Sequence, residues 1–259
     1  MIITVLGSCA NQTALREGVA LLIEDDAQVN RLLIDAGPGI VASLQRCSRC
    51  AFDIDHIFLT HTHGDHISGI AYLIWHRFYE GLGRNCAAKD LTIYGLDNAL
   101  SLAKQMLEGC YGPTSFPFKI NFKTIEPNAA LKIEGFSVHT CLAAHTTPTL
   151  SCSIQNATKK IAYSSDSLPT DEFILLAESA DLLLHEGMWT EANRQLADKT
   201  KHATASDAAK VAFKSKSKQL VLLHIFPSYL GREAELIREA SQYYNGPLSI
   251  PYDGTLYQV

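Results

Sequence analysis

The hexapeptide His61-Thr62-His63-Gly64-Asp65-His66 packs three imidazoles and a carboxylate into six residues, directly after the strand-like run His56-Ile57-Phe58-Leu59-Thr60. Imidazole nitrogen and carboxylate oxygen are donors that first-row divalent ions prefer, and no thiolate interrupts the cluster. Along a strand the side chains alternate faces, so His-x-His alone presents only two donors on one side. Where a strand ends and turns into a helix, all four groups can aim inward. His61 and His63 then serve one ion, Asp65 and His66 a second. A polar loop that caps the next helix would explain Asp65 but not the three histidines.

A two-ion site needs more donors, and three further candidates stand at the ends of predicted strands. His145 follows Phe136 to Leu142, Asp166 follows Ile161 to Ser164, and His224 terminates Leu220 to Leu223. An aspartate can bridge two ions with its two oxygens, the role expected of Asp166. His145 would complete the first set and His224 the second. Taken singly, Asp166 reads equally well as a turn residue or the cap of a helix near Glu172, and His224 as a satisfied core histidine. Their recurrence at the carboxyl ends of strands favours the site, because α/β proteins gather functional groups there. His139 competes with His145 but lies inside the alternating strand Phe136-Ser137-Val138-His139, whereas His145 sits in a loop free to bend, and is preferred. Asp35 also ends a strand, placed to hold a ligand imidazole by its free ring nitrogen.

The elements that must position these groups follow from periodicity and turn residues. Strands are predicted at Ile2 to Leu6, Val19 to Glu24 and Leu32 to Asp35, with a sharp turn at Ala36-Gly37-Pro38-Gly39 before a short helix from Ile40 to about Arg46. A helix is expected over Ile67 to Phe78, then a polar loop around Gly81 to Lys89, a strand at Leu91 to Tyr94 and a helix over Asn98 to Leu107. The stretch from His76 to Asp90 is a candidate cover for the site. Short strands follow at Lys119 to Ile125, Leu131 to Ile133, Phe136 to Leu142, Ser151 to Gln155 and Lys160 to Ser164. The last third alternates: helix Glu172 to Ala177, strand Leu182 to Leu184, helix Ala205 to Phe213, strand Leu220 to Leu223, helix Glu233 to Tyr244. Thr204 to Asp207 reads as a helix capping pattern, which puts His202 just before a helix start. The order predicts one domain over residues 1–259, built of two αβ halves whose sheets face each other.

The 259 residues are 47% hydrophobic and 19% charged, the balance of a globular protein with a large core. The net charge of −5 supplies no global basic field to recruit nucleic acid, and Lys214-Ser215-Lys216-Ser217-Lys218 reads as a solvated turn. Seven scattered cysteines, an odd number without framework spacing, fit reduced thiols. Cys47-Ser48-Arg49-Cys50 has the spacing of a redox pair or half a zinc site, but with no second pair beside it reads as two ordinary thiols near a helix end. No basic region precedes the apolar start and no run approaches membrane-spanning length, so a cytoplasmic protein without a membrane partner is expected.

In order, Asp35, His61-x-His63-x-Asp65-His66, His145, Asp166 and His224 resemble the five motifs of the metallo-β-lactamase superfamily, over essentially the whole chain. The resemblance implies an α/β fold, a four-layer αβ/βα sandwich with two divalent metals at the sheet edges, zinc foremost and manganese or iron compatible with the same donors. Leu6-Gly7-Ser8, Leu33-Ile34-Asp35-Ala36-Gly37, Tyr163-Ser164-Ser165-Asp166, Leu184-His185-Glu186 and His202-Ala203-Thr204-Ala205 are similar to the ribonuclease Z branch, which also holds small phosphodiesterases. That resemblance implies that His202, with Glu186, stands beside the metals and assists the leaving group. The chemistry expected is hydrolysis of a phosphodiester by a hydroxide the two ions share, oriented by Asp65. The branch's tRNA-processing members carry a long basic arm between the positions of His145 and Asp166, and the short span here, half taken by two strands, leaves no room for one. His224-Ile225-Phe226-Pro227-Ser228-Tyr229 also lacks the arginine those members place before the tyrosine. A small-molecule or nucleotide phosphodiester is therefore expected rather than long nucleic acid, with Tyr229 a candidate substrate contact and a homodimer implied by the branch. Hydrolysis of a sulfate ester, lactone or thioester, tRNA 3′ processing, and a metal-containing binding protein without turnover stay as alternatives.

Overall fold

The computed structural model describes residues 1–259. One seven-stranded sheet is formed by β1 (Ile2–Gly7), β2 (Ala20–Glu24), β3 (Arg31–Ile34), β4 (His56–Phe58), β5 (Leu91–Gly95) and β6 (Ile120–Thr124), in that order, with β14 (Leu256–Gln258) beside β1. The other runs β7 (Ala130–Ile133), β8 (Phe136–Leu142), β9 (Leu150–Gln155), β10 (Lys160–Tyr163), β11 (Leu182–Glu186), β12 (Leu220–Leu223) and β13 (Leu248–Ser249). Strands β3 to β6 are mutually parallel, as are β10 to β13.

Strand alternation makes the layers. In β2, Leu21 and Ile23 point into the apolar core between the sheets while Ala20 and Leu22 point outward; in β12, Val221 and Leu223 point inward while Leu220 and Leu222 point outward. The outer face of the first sheet is covered by α1 (Ile40–Arg46), α3 (Ile70–Gly83) and α4 (Asp97–Tyr111), through residues such as Leu44, Leu73 and Leu100. The second is covered by α5 (Asp171–Leu176), α6 (Arg194–Thr200), α7 (Ala205–Lys214) and α8 (Glu233–Ala240), through Phe173, Val211 and Leu236. The result is the expected helix–sheet–sheet–helix sandwich, because each sheet has two apolar faces to bury.

Three expectations are corrected. The helix predicted from Ile67 is interrupted: α2 (Gly64–Ile67) ends at Ser68, and α3 begins only after Gly69. At Gly69 the chain approaches the turn after β3 so closely that a Cβ would stand 2.2 Å from the Gly37 carbonyl oxygen. The stretch His76 to Asp90 does not cover the site, since α3 runs on to Gly83 and its buried Arg77 binds the carbonyls of Ala51, Phe52, Ile54 and Lys89. Those partners lie at the amino ends of β4 and β5, the opposite edge from the histidines. The last helix ends at Ala240 rather than Tyr244, and α6 and the edge strands β13 and β14 were not foreseen.

Candidate metal centre

Carboxyl ends of strands from both sheets meet at one edge, and all seven expected donors converge there. His61, His63, His145 and Asp166 form one set whose ligand atoms lie within 4.8 Å of one another; Asp65, His66, Asp166 and His224 form another. Asp166 belongs to both. Its Oδ2 lies 3.6 Å from His61 Nε2 and 3.2 Å from His224 Nε2, and its Oδ1 lies 3.4 Å from His66 Nε2, so the carboxylate stands between the two sets. His145 enters the cluster, with Nε2 3.2 Å from His63 Nδ1. His139 stays in mid-strand facing Gln155.

Local structure explains the aim of each ring. Asp35 has a left-handed backbone (φ 62°), which an aspartate tolerates, and its buried carboxylate faces back along the ends of β3 and β4. It accepts from the Thr60 N–H (2.8 Å), the Thr60 hydroxyl (2.8 Å) and His66 Nδ1 (2.7 Å). The Thr60 hydroxyl, having donated to Asp35, accepts from His61 Nδ1 at 2.9 Å. One carboxylate thus orients two imidazoles and leaves both Nε2 atoms free toward the site. His145 is fixed in the same way, with Nδ1 donating to the Lys201 carbonyl at 3.1 Å. Asp65 is set by close packing: a Cβ on Gly37 would stand 1.9 Å from the Asp65 carbonyl oxygen, so α2 is seated directly on the turn after Asp35.

Two observations test whether this set fits a metal. His61 Nε2, His66 Nε2 and Asp166 Oδ1 are buried without a hydrogen-bond partner, a cost of about 1–3 kcal/mol each that a cation among them would offset. Burial also holds the His61 imidazole well below its ordinary range and brings His145 down to about 4, so each is neutral with a lone pair to offer. Burial raises the Asp166 carboxyl, but His224 and His66 outweigh it and hold it well below the usual carboxylate range. Burial opposes protonation of His66, but Asp166 and Asp35 outweigh it and raise that imidazole well above its ordinary range, so His66 gives up a proton on taking an ion, whereas His61 and His145 offer their lone pairs at once.

Glu186 and His202 complete the floor. The parity of β11 turns Leu182, Leu184 and hence Glu186 inward, and sends His185 outward against Phe173. Glu186 accepts from the Ser167 N–H and from His202 Nδ1 (3.1 Å). The His202 ring stacks on His224, with centroids 5.1 Å apart and planes 18° apart, and stands 4.9 Å from His145. The expected helix start is present: Thr204 and Asp207 form a reciprocal capping box at the head of α7. Burial opposes protonation of His202, but Glu186 outweighs it and raises the imidazole.

Tyr229 is corrected. It is 4% exposed, its hydroxyl donates to Asn193 Oδ1 at 2.8 Å, and the Thr190 N–H donates to it at 3.2 Å. It braces the turn after β11 and has no free face for a substrate. Residues missed from sequence are Thr60, Ser167 and the Lys201 carbonyl. Thr60 had a signal, being a hydroxyl directly before the first histidine; a backbone carbonyl has none. The Cys47/Cys50 pair is unbridged, as are all seven cysteines. No helix is long and apolar enough to cross a membrane.

Comparison with known proteins agrees with this geometry. The ribonuclease Z of Natronomonas pharaonis is 23% identical over 303 residues, covering 97% of this chain and 96% of that protein. The metallo-beta-lactamase fold protein YhfI of Bacillus subtilis superposes with a TM-score of 0.86 at 22% identity, covering 99% of this chain and 98% of its own. The short form of human tRNase Z gives 0.82 at 22% identity, covering 100% and 99%. A model of the beta-lactamase superfamily domain matches residues 30–225, from β3 through the last of the histidine donors, and the chain belongs to that superfamily.

Proposed function

We propose that this protein is a two-metal hydrolase of phosphodiesters, acting on a small or nucleotide substrate. The observation that carries the reading is the Glu186–His202 pair, a histidine held by a buried carboxylate and stacked against His224 of the donor cluster. A hydrolase whose leaving group departs as an alkoxide needs a proton donor, and His202 stands beside the residues that would hold the ions. Hydrolysis of an activated ester needs none.

His61, His63 and His145 would hold one ion, Asp65, His66 and His224 the other, with Asp166 shared. Zinc suits the set, and manganese or iron takes the same donors. Bound there, such ions lower the pKa of water to near neutral and draw charge from the phosphoryl oxygens. Asp65, whose Oδ2 is 3.3 Å from His224 Nε2, is placed to accept a proton from the attacking water and orient it. As the new P–O bond forms and the bond to the leaving oxygen breaks, His202 passes its ring proton to that oxygen. Glu186 stabilises the imidazolium before transfer and keeps Nδ1 occupied, so that the far nitrogen is the one that donates.

The small substrate is supported by what joins the motifs. Between His145 and Asp166 stand only β9 and β10, connected by a tight turn in which Asn156 Oδ1 accepts from the N–H groups of Thr158 and Lys159. No protruding arm is there to grip a long RNA, and the net charge is negative. A second reading, 3′ processing of tRNA, is favoured by ribonuclease Z matching over the full length. Both are decided by one panel: chromogenic phosphodiester, phosphomonoester, sulfate ester, lactone and thioester substrates plus a precursor tRNA, each with zinc- or manganese-loaded protein. Preference for the small phosphodiester, lost with chelator, is the expected result. Cleavage of the tRNA at comparable kcat/KM would replace the substrate proposed here, and preference for another ester would remove the phosphodiester reading, leaving the role of His202 to be read from the leaving-group dependence on that ester.

A further inference from the structure

His202 is carried on an excursion that leaves the sheet after β11 and returns at the head of α7. Its base is closed by backbone pairing, with Trp189 N donating to Ala203 O (3.3 Å) and Ala205 N to Trp189 O (2.8 Å). Inside it, α6 ends at Lys201 in a left-handed conformation (φ 55°), one residue before His202. That conformation ends the helix, with His202 N donating to Ala197 O at 3.0 Å, and it turns the Lys201 carbonyl toward His145 Nδ1 at 3.1 Å.

The two ends of the excursion are joined by Arg194. Its guanidinium makes a two-pronged pair with Glu191 at one end of the excursion (Nε to Oε1 2.9 Å, Nη2 to Oε2 2.7 Å). It makes a second with Asp207 at the other end (Nη1 to Oδ2 2.8 Å, Nη2 to Oδ1 2.9 Å), and Nη2 also donates to the Thr204 hydroxyl at 3.0 Å. Asp207 is the residue that closes the capping box on the Thr204 N–H (3.1 Å), and it is buried. Glu191 in turn accepts from the Ser206 hydroxyl at 2.9 Å. One planar fork therefore ties the start of the excursion to its end, with His202 between. Two parallel bonds to each of two carboxylates is geometry a lysine ammonium does not reproduce.

We infer that Arg194 is the positioning residue for the proton donor: by clamping Glu191 to Asp207 and Thr204 it holds His202 on Glu186 and against His224. Arg194 bonds to none of the seven metal donors. The excursion's one other link to the donors is the Lys201 carbonyl, which accepts from His145 Nδ1 at 3.1 Å, so with metal in saturating excess the loss of Arg194 acts chiefly on protonation of the leaving group. The inference rests on the phosphodiesterase reading of the previous subsection.

The test compares leaving groups in metal-loaded Arg194→Met and wild type. A 4-nitrophenolate leaves without a proton, whereas a simple alkoxide needs one. The expected result is a kcat ratio of wild type to variant at least about tenfold larger for the alkyl phosphodiester than for the nitrophenyl one, since misplacing a catalytic group by an ångström costs up to about a hundredfold. Metal content should match wild type. An equal loss for both leaving groups, or no loss for either, overturns the inference. If Arg194→Met does not fold, Glu191→Gln removes the charge and one of the two bonds on an exposed side chain and must show the same leaving-group bias, at smaller amplitude. The underlying reading fails separately, in the wild type: if that protein prefers a carboxylic ester, the phosphodiester proposal falls. The same pair of leaving groups on that ester then still decides the role of Arg194.

Discussion

Asp35→Asn isolates what one carboxylate does for the centre. The backbone tolerates the change, because Asn shares with Asp a readiness for the left-handed region that residue 35 occupies (φ 62°). The amide oxygen can take over the acceptor role toward the Thr60 N–H, where Oδ1 now receives a 2.8 Å bond. The amide nitrogen then stands where Oδ2 accepts from His66 Nδ1 at 2.7 Å, and two donors face each other in a fully buried space. His66 escapes by moving its proton to Nε2, which removes the lone pair aimed at the metal, or by turning away. A hydrogen bond to a charged group contributes about 1.5–3 kcal/mol, which corresponds to roughly 10- to 100-fold in metal affinity, the usual range for a lost partner of a ligand histidine. Chelator competition should show that weakening at one of two ions, the one His66 would hold. The melting temperature of the metal-free protein should fall by several degrees, at about 2–4 °C per kcal/mol for a chain of this size. Equal affinity in mutant and wild type for both ions would refute the claim that Asp35 orients His66.

Other outcomes follow from the same contacts. His202→Ala should keep two metal equivalents while kcat for an alkyl phosphodiester drops about 10²- to 10⁴-fold; a normal kcat would remove His202 from the chemistry. Gly37→Ala should force α2 off the turn it rests on, since the new Cβ would stand 1.9 Å from the Asp65 carbonyl oxygen, and metal titration should then show at least one ion lost. Burial brings His185, packed against Phe173 with Nε2 unpartnered, down to about 4. Its folded value lies below its unfolded one, so the unfolded chain takes the proton first. Native stability from this site is complete above about pH 6.5 and is lost as pH falls toward 4, on the order of 3 kcal/mol in all. Urea unfolding of metal-free His185→Leu at pH 7.5 and 5 should show a smaller acid loss than wild type, and equal losses would contradict the assignment.

How far the centre could be read from the chain depends on the range of the interactions involved. The His-x-His-x-Asp-His run is a local event: a strand end and a four-residue helix aim its four donors, so spacing alone was informative. The strands themselves were equally legible, but the inward and outward faces of β11 and β12 were not: Leu182-Leu183-Leu184 and Leu220 to Leu223 are apolar on both faces, so only the structure shows that Glu186 turns inward, and its role was implied by the family resemblance alone. His145 could be preferred over His139 because one is confined to a strand and the other is not.

What the tertiary structure decided is everything that depends on which strand ends come together. Tyr229 lies five residues after a donor, yet its hydroxyl is used by Thr190 and Asn193, partners contributed by a different strand connection. The stretch from His76 to Asp90 could have lain over either edge of its sheet, and Arg77, reaching carbonyls from residue 51 to 89, settled it. Helix α6 escaped notice because only Ala197 on it is buried; it is held by the polar clamp of Arg194, and hydrophobic periodicity carries no trace of such a clamp. The donor types and their local spacing are written in the sequence, because covalent neighbours set them. The orientation of each ring by Thr60, Asp35, Glu186 and the Lys201 carbonyl arises only when the two sheets close on a common core.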